Sequence, residues 1–143
     1  MKCTIIIDKD REEELTIIAH EKNKLVEEIE RLMESSSLEI IGYANENIKK
    51  LTPMEIYCFN IENGKIVAYT EFEKFFVKKR IYELEELLSY DFVKINQSCI
   101  VNIKKISHFS ASFGGALMIT LKNGYRDYVS RRQVKAVKER VGI

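Results

Sequence analysis

Short apolar runs of strand length, set between polar turns, recur along this chain, and three stretches of helical spacing interrupt them. Residues 2–7 (KCTIII) and 13–19 (EELTIIA) read as strands on either side of a polar turn at 8–11. Over 21–33 the step changes: Leu25, Val26, Ile29, Leu32 and Met33 recur every three or four residues, which predicts an amphipathic helix, ended by Ser35, Ser36 and Ser37. Strands follow at 38–43, 47–51, 55–61, 66–70 and 72–77, with a turn at Thr52 and Pro53 and an Asn-Gly hairpin signal at Asn63 and Gly64. Ile81, Leu84, Leu87 and Leu88 predict a helix of about two turns. Short strands are then expected at 92–95 and 99–103 around the polar loop 96–98. Others follow at 106–111 and 116–121, after a turn at 113–115, and at 125–129, beyond a second Asn-Gly pair at Asn123 and Gly124. Ser130 is placed to cap a closing helix over 131–141, with Val134, Val137 and Val141 on one face and Gly142 behind it.

Many short strands and three short helices in 143 residues predict a mainly β fold of one domain plus an extension: strand-strand-helix over 1–37, then a β-rich domain over 38–143. No apolar run approaches membrane-span length, and the short apolar stretch near the N-terminus is followed at once by acidic residues, so neither anchor nor signal peptide is expected and the address is cytoplasmic.

Charge changes the picture. The net charge of +1 hides a split: residues 1–93 hold 13 basic and 20 acidic side chains, net −7, and residues 94–143 hold 10 basic and 2 acidic, net +8. One end suits a polyanion and the other repels it.

Chemistry adds little. Phosphate-loop, dinucleotide and zinc-protease motifs are missing, and no nucleophile elbow frames a serine, so no enzyme, cofactor or small-molecule substrate is expected. Cys3, Cys58 and Cys99 lie far apart in apolar runs and read as buried thiols, and His20 and His108 are too scattered for a metal site. Tyr125 and Tyr128 read as packing residues.

In the basic part, cations and amides fall where strands stop: Lys94, Asn96, Gln97 and Ser98; then Asn102, Lys104 and Lys105; then Ser130, Arg131, Arg132 and Gln133. Arg, Lys, Asn and Gln read base edges, while Ser and Lys hold phosphates. The stretches YELEELLSYDFVKINQSCIVNIKKI (82–106) and LKNGYRDYVSRRQVKAVK (121–138) resemble a LytTR DNA-binding domain. The resemblance lies in an ordered set: a Leu-x-x-Leu helix, a Phe-hydrophobic-basic strand, a polar turn ending in Ser, a Val-Asn strand, an Asn-Gly hairpin, a Val-Ser-Arg step and a closing helix. It spans about residues 38–141.

That resemblance implies an elongated arrangement of small antiparallel sheets with short helices, binding double-stranded DNA at direct-repeat promoter sites as paired protomers, with loops in successive major grooves. It implies base-facing side chains at three places: Lys65 in the early hairpin, Asn96 and Gln97 in the turn before the Val-Asn strand, and Arg131 or, by spacing from Ser130, Arg132. Lys94 and Ser98 are expected on phosphates, and Ser130 and Gln133 on the DNA backbone. The turn carries Asn-Gln where the family often has His, Arg or Lys. About 37 residues precede the domain, too few for the receiver domain found in well-known members, so control by aspartyl phosphorylation is not expected. The helix over 21–33 either covers a sheet edge or offers a partner surface. The rival reading is a protein-interaction module whose acidic extension binds a partner, with a small membrane regulatory protein as the implied candidate.

Overall fold

In a computed structural model that describes residues 1–88, 91–111 and 114–143, with the backbone alone at 35–37, the strands form two antiparallel sheets. Helix α1 (Lys24–Ser37) leads into strands β1 (Ile40–Ala44) and β2 (Asn47–Leu51), then β3 (Cys58–Glu62), β4 (Lys65–Tyr69) and β5 (Lys74–Val77). Helix α2 (Ile81–Leu87) separates these from β6 (Phe92–Asn96), β7 (Cys99–Asn102), β8 (Ile106–Ala111), β9 (Leu117–Leu121) and β10 (Arg126–Val129), and α3 (Val134–Val141) closes the chain. The larger sheet has the order β2-β1-β5-β4-β3-β7-β6, and the smaller one β10-β9-β8.

Strict alternation along the central strands builds a core on each face of the larger sheet. On β7, Ile100 faces one core with Phe59, Phe75, Leu84 and Phe92, while Cys99 and Val101 face the other with Ile119, Leu121, Val129 and Val137. The second core is roofed by the smaller sheet and α3. Burial on both faces explains why β7 reads as a continuous apolar run. The sheet is tight at Gly42, where a Cβ would lie 2.8 Å from both Leu51 Cδ1 and Phe75 Cβ.

Several expectations are corrected. Residues 2–7 and 13–19 form no strand: they carry no regular secondary structure and are largely exposed, with a turn at 9–10. Two β-prone segments without a third strand or a packed face are marginal in water, so propensity alone does not hold them in a ladder. The first helix starts at Lys24, behind Asn23, whose Oδ1 accepts from the Val26 N–H at 3.0 Å, and it continues through the three serines rather than stopping before them. Ser130 is not the cap of the last helix, which begins at Val134. The turn expected at 113–115 includes Phe113, outside the described residues.

The two Asn-Gly hairpins differ. Asn63 (φ 51°) and Gly64 (φ 75°) both take positive φ, giving the two-residue turn whose twist suits the strands. At 123–124 only Gly124 does (φ 90°): its N–H bonds Leu121 O at 2.9 Å and Leu121 N–H bonds Tyr125 O at 2.8 Å, a three-residue loop with the glycine as the bulge.

Cys58 and Cys99 are buried, and burial, reinforced by the neighbouring Cys99 thiol, pushes the Cys58 thiol far above its usual range. Cys3 is exposed, against expectation. One thiol per chain is therefore expected to react with a colorimetric thiol reagent in the native state and all three after denaturation. Prompt native labelling of Cys58 or Cys99 would show that the core opens.

Candidate nucleic-acid interface

Three of the polar segments meet around strands β3, β7 and β6. The β3–β4 tip places Lys65 at the surface, its Nζ 5.5 Å from the centre of the Phe76 ring. Next to it lies the β6–β7 turn, because Asn60 pairs with Cys99 and Ile61 N–H donates to Ser98 O at 2.9 Å. Gln97 is exposed at the apex of that turn, and Ser98 is half-buried.

Asn96 builds the turn. Its Oδ1 accepts from the Ser98 N–H at 2.9 Å, while its Nδ2 donates to Tyr128 O at 2.9 Å and to Asp127 Oδ1 at 3.3 Å. Only 3% of Asn96 is exposed. A side chain this enclosed does not face a groove, and its amide is already used on both sides. The expectation of a surface amide at Asn96 gives way to one that fixes Gln97.

The third segment is tied to the same strand. Ser130 N–H donates to Ile95 O at 2.8 Å, and Gln133 N–H donates to Ser130 O at 2.9 Å, closing a turn over Arg131 and Arg132 before α3 begins. Both arginines are exposed, and Gln133 is half-buried beside Lys94. Residues more than 30 positions apart in sequence are thus brought side by side on β6. The α3 end is held by Arg140, which donates to Phe92 O at 2.8 Å.

Other expected contacts lie elsewhere or are engaged. Asn102 ends β7 opposite the 97–98 turn and is 3% exposed. Its Nδ2 donates to Ile56 O at 3.0 Å and its Oδ1 accepts from Lys104 N–H at 3.1 Å, a structural use of the amide. Lys104 is exposed at that far end and pairs with Asp91 at 3.4 Å; Lys105 lies over the Tyr57 ring at 4.9 Å. Lys94 is half-buried and pairs with Glu85 at 3.4 Å. Tyr125 packs on Tyr69 with ring centres 4.8 Å apart, whereas Tyr128 is 51% exposed.

The sequence reading passes over Lys78, Lys79 and Arg80. They follow β5 at the same sheet end as Lys65, since Ile66 pairs with Val77. The signal was present as three consecutive cations; only the pairing of β4 with β5 shows that they stand beside the hairpin tip. Among the described residues no group of three or more His, Cys, Asp or Glu side chains is gathered to hold a metal, and no helix is long and apolar enough to cross a membrane.

A model of the LytTr DNA-binding domain matches residues 46–142. An uncharacterized HTH-type transcriptional regulator of Staphylococcus aureus strain MSSA476 is 32% identical over 146 residues, covering 100% of this chain and 99% of its own. Another from strain NCTC 8325 is 34% identical over 104 residues, covering 73% of this chain and 71% of its own. Among solved structures, the LytTr DNA-binding domain of a Bacillus cereus protein superposes with a TM-score of 0.68 at 18% identity, over 73% of this chain and 97% of that one.

Proposed function

The chain belongs to the LytTR DNA-binding domain family, and from that premise we propose that it is a transcriptional regulator reading repeated promoter sites in the major groove through Lys65, Gln97 and Arg132. The observation that carries this reading is the convergence of three exposed polar tips on strands β3, β6 and β7, each fixed by backbone bonds to a buried sheet. Rigid placement lets a loop project without a large ordering cost.

Exposure sets Gln97 and the two arginines apart from the half-buried Ser98, Ser130 and Gln133, and spacing from Ser130 favours Arg132 over Arg131 as the reader. Gln97 and Arg132 stand free at their turns and match the bidentate reading of adenine and guanine respectively. Arg131, Ser130, Gln133 and Ser98 hold phosphates or sugars around them. Lys94 supports the interface through its pairing with Glu85, and Asn96 positions the turn. The domain, taken as 38–143, binds as two protomers on a direct repeat.

The test is selection from random duplex DNA by the full chain, followed by affinity against salt. A repeated motif is expected, with the logarithm of affinity falling linearly by about 0.9 per neutralised phosphate as the logarithm of salt rises. No enriched motif and a flat salt response would sink the reading.

A second role for residues 1–37 is favoured by their exposed Ile5, Ile6, Ile7, Leu15 and Ile18, together with the amphipathic α1. These make the extension a partner surface, for a second protomer or for a small membrane regulatory protein.

A further inference from the structure

Five lysines of the sheets and their connections are neutralised by a neighbour: Lys49 by Glu55, Lys50 by Glu39, Lys74 by Glu62, Lys94 by Glu85 and Lys104 by Asp91. Lys65, Lys78, Lys79 and Arg80 behave differently. They line one open groove of about 880 Å³ beside the β3–β4 tip, and Glu83 is the one carboxylate among the described residues that line it. None of the four cations is in an ion pair with a described residue.

Aromatic faces hold two of them instead. Lys78 Nζ lies 4.5 Å from the centre of the Tyr43 ring and Lys65 Nζ 5.5 Å from that of Phe76. A ring face orients an ammonium without cancelling its charge. Four cations against one carboxylate leave an excess of three positive charges in a solvent-open groove, which attracts a polyanion.

We propose that the Lys78, Lys79 and Arg80 side of this groove is a second phosphate track, continuing the DNA interface beyond the base-reading loops; the proposal rests on the DNA-reading role given above. The sheet order fixes where it lies. From the end of β5 to the β6–β7 turn the path crosses β4 and β3, three to four steps of about 4.8 Å, so the side of the groove that carries Lys78, Lys79 and Arg80 stands roughly 15–20 Å from Gln97, while its β3–β4 side adjoins that turn. Duplex DNA carries one charge per about 1.7 Å of its axis, so that distance corresponds to several base pairs of backbone on one flank of the read positions. Lys78, Lys79 and Arg80 contact phosphates there without adding sequence information, and Lys65, at the groove's inner edge, keeps its base-reading role.

The experiment compares the full chain with a triple variant, Lys78→Gln, Lys79→Gln and Arg80→Gln, which keeps much of each aliphatic stem over its neighbours. Both are tested on the duplex motif selected by the unaltered protein, with footprinting and a salt series. The expected result is the same selected motif, a salt slope shallower by about two to three and loss of protection on one flank. A single Lys78→Gln variant, expected to lower the slope by about one, serves if circular dichroism shows the triple variant unfolded. An unchanged slope and footprint, with the motif still selected, overturns the groove and leaves the base-reading role standing. A changed motif in a folded variant also overturns it, because that side of the groove would then read bases. If the unaltered protein selects no motif, the base-reading role fails first and the groove falls with it.

Discussion

Asn96→Ala is expected to destabilise the protein by about 2–3 kcal/mol and to weaken DNA binding uniformly across sequences. The side chain is buried and bonds to Ser98 N–H, Tyr128 O and Asp127 Oδ1. Truncation leaves an N–H and a carbonyl in enclosed surroundings without those partners, and each such loss costs about 1–3 kcal/mol; the turn's partial access to water holds the total toward the lower end. The same bonds join β6 to β10, so the turn bearing Gln97 and the turn bearing Arg132 lose their common reference. Asn96→Asp should be no better. It keeps the acceptor for Ser98 N–H but removes the donor to Tyr128 O and sets a second carboxylate beside Asp127. Urea unfolding should show a lower midpoint with an unchanged slope. A variant of full stability with an altered preference at one base position would instead make Asn96 a reader and sink the positioning role.

Arg132→Ala should do the reverse, leaving stability within about 0.5 kcal/mol, as expected for an exposed side chain, while costing about 1–3 kcal/mol of specific binding through the loss of a bidentate base contact. The selected motif should become degenerate at the guanine it reads. Arg131→Ala is the internal control: as a phosphate contact it should lower affinity evenly and make the salt slope shallower by about one. Retention of the full motif by Arg132→Ala, with degeneracy appearing in Arg131→Ala, would exchange the two roles. An even loss in both would remove this turn from base reading altogether.

The balance between sequence and fold shows in individual residues. The tip at Asn63 and Gly64 was legible because two positive φ values in a row need that pair of residues, a requirement set within four positions. The same dipeptide at Asn123 and Gly124 gives a different turn. There the Asn123 amide donates to Thr70 O at 3.0 Å, in a segment more than 50 positions away, while its oxygen accepts from Tyr125 N–H. The exposed thiol at Cys3 and the unladdered arms at 2–7 and 13–19 were misread for one reason. β-branched sequence states what a segment suits, and only a partner makes it a strand.

What the sequence by itself determined is therefore local or periodic: the short apolar runs that make the fold mainly β, the hairpin tip at Lys65, helix α2, the buried strand β7, and the exposed cations at Arg131 and Arg132. These follow from backbone preference and from the need to bury one face of each element, which neighbours along the chain express. Tertiary structure decided which polar residues remain available. Gln97 and Asn96 are adjacent and chemically alike, yet one is exposed and the other enclosed, because β10 packs against β6 and takes the Asn96 amide. It also set Lys78, Lys79 and Arg80 beside Lys65, through the register of β4 on β5. Pairing between distant strands fixes both outcomes, and the stabilisation that selects it is shared across two cores rather than written at any one position.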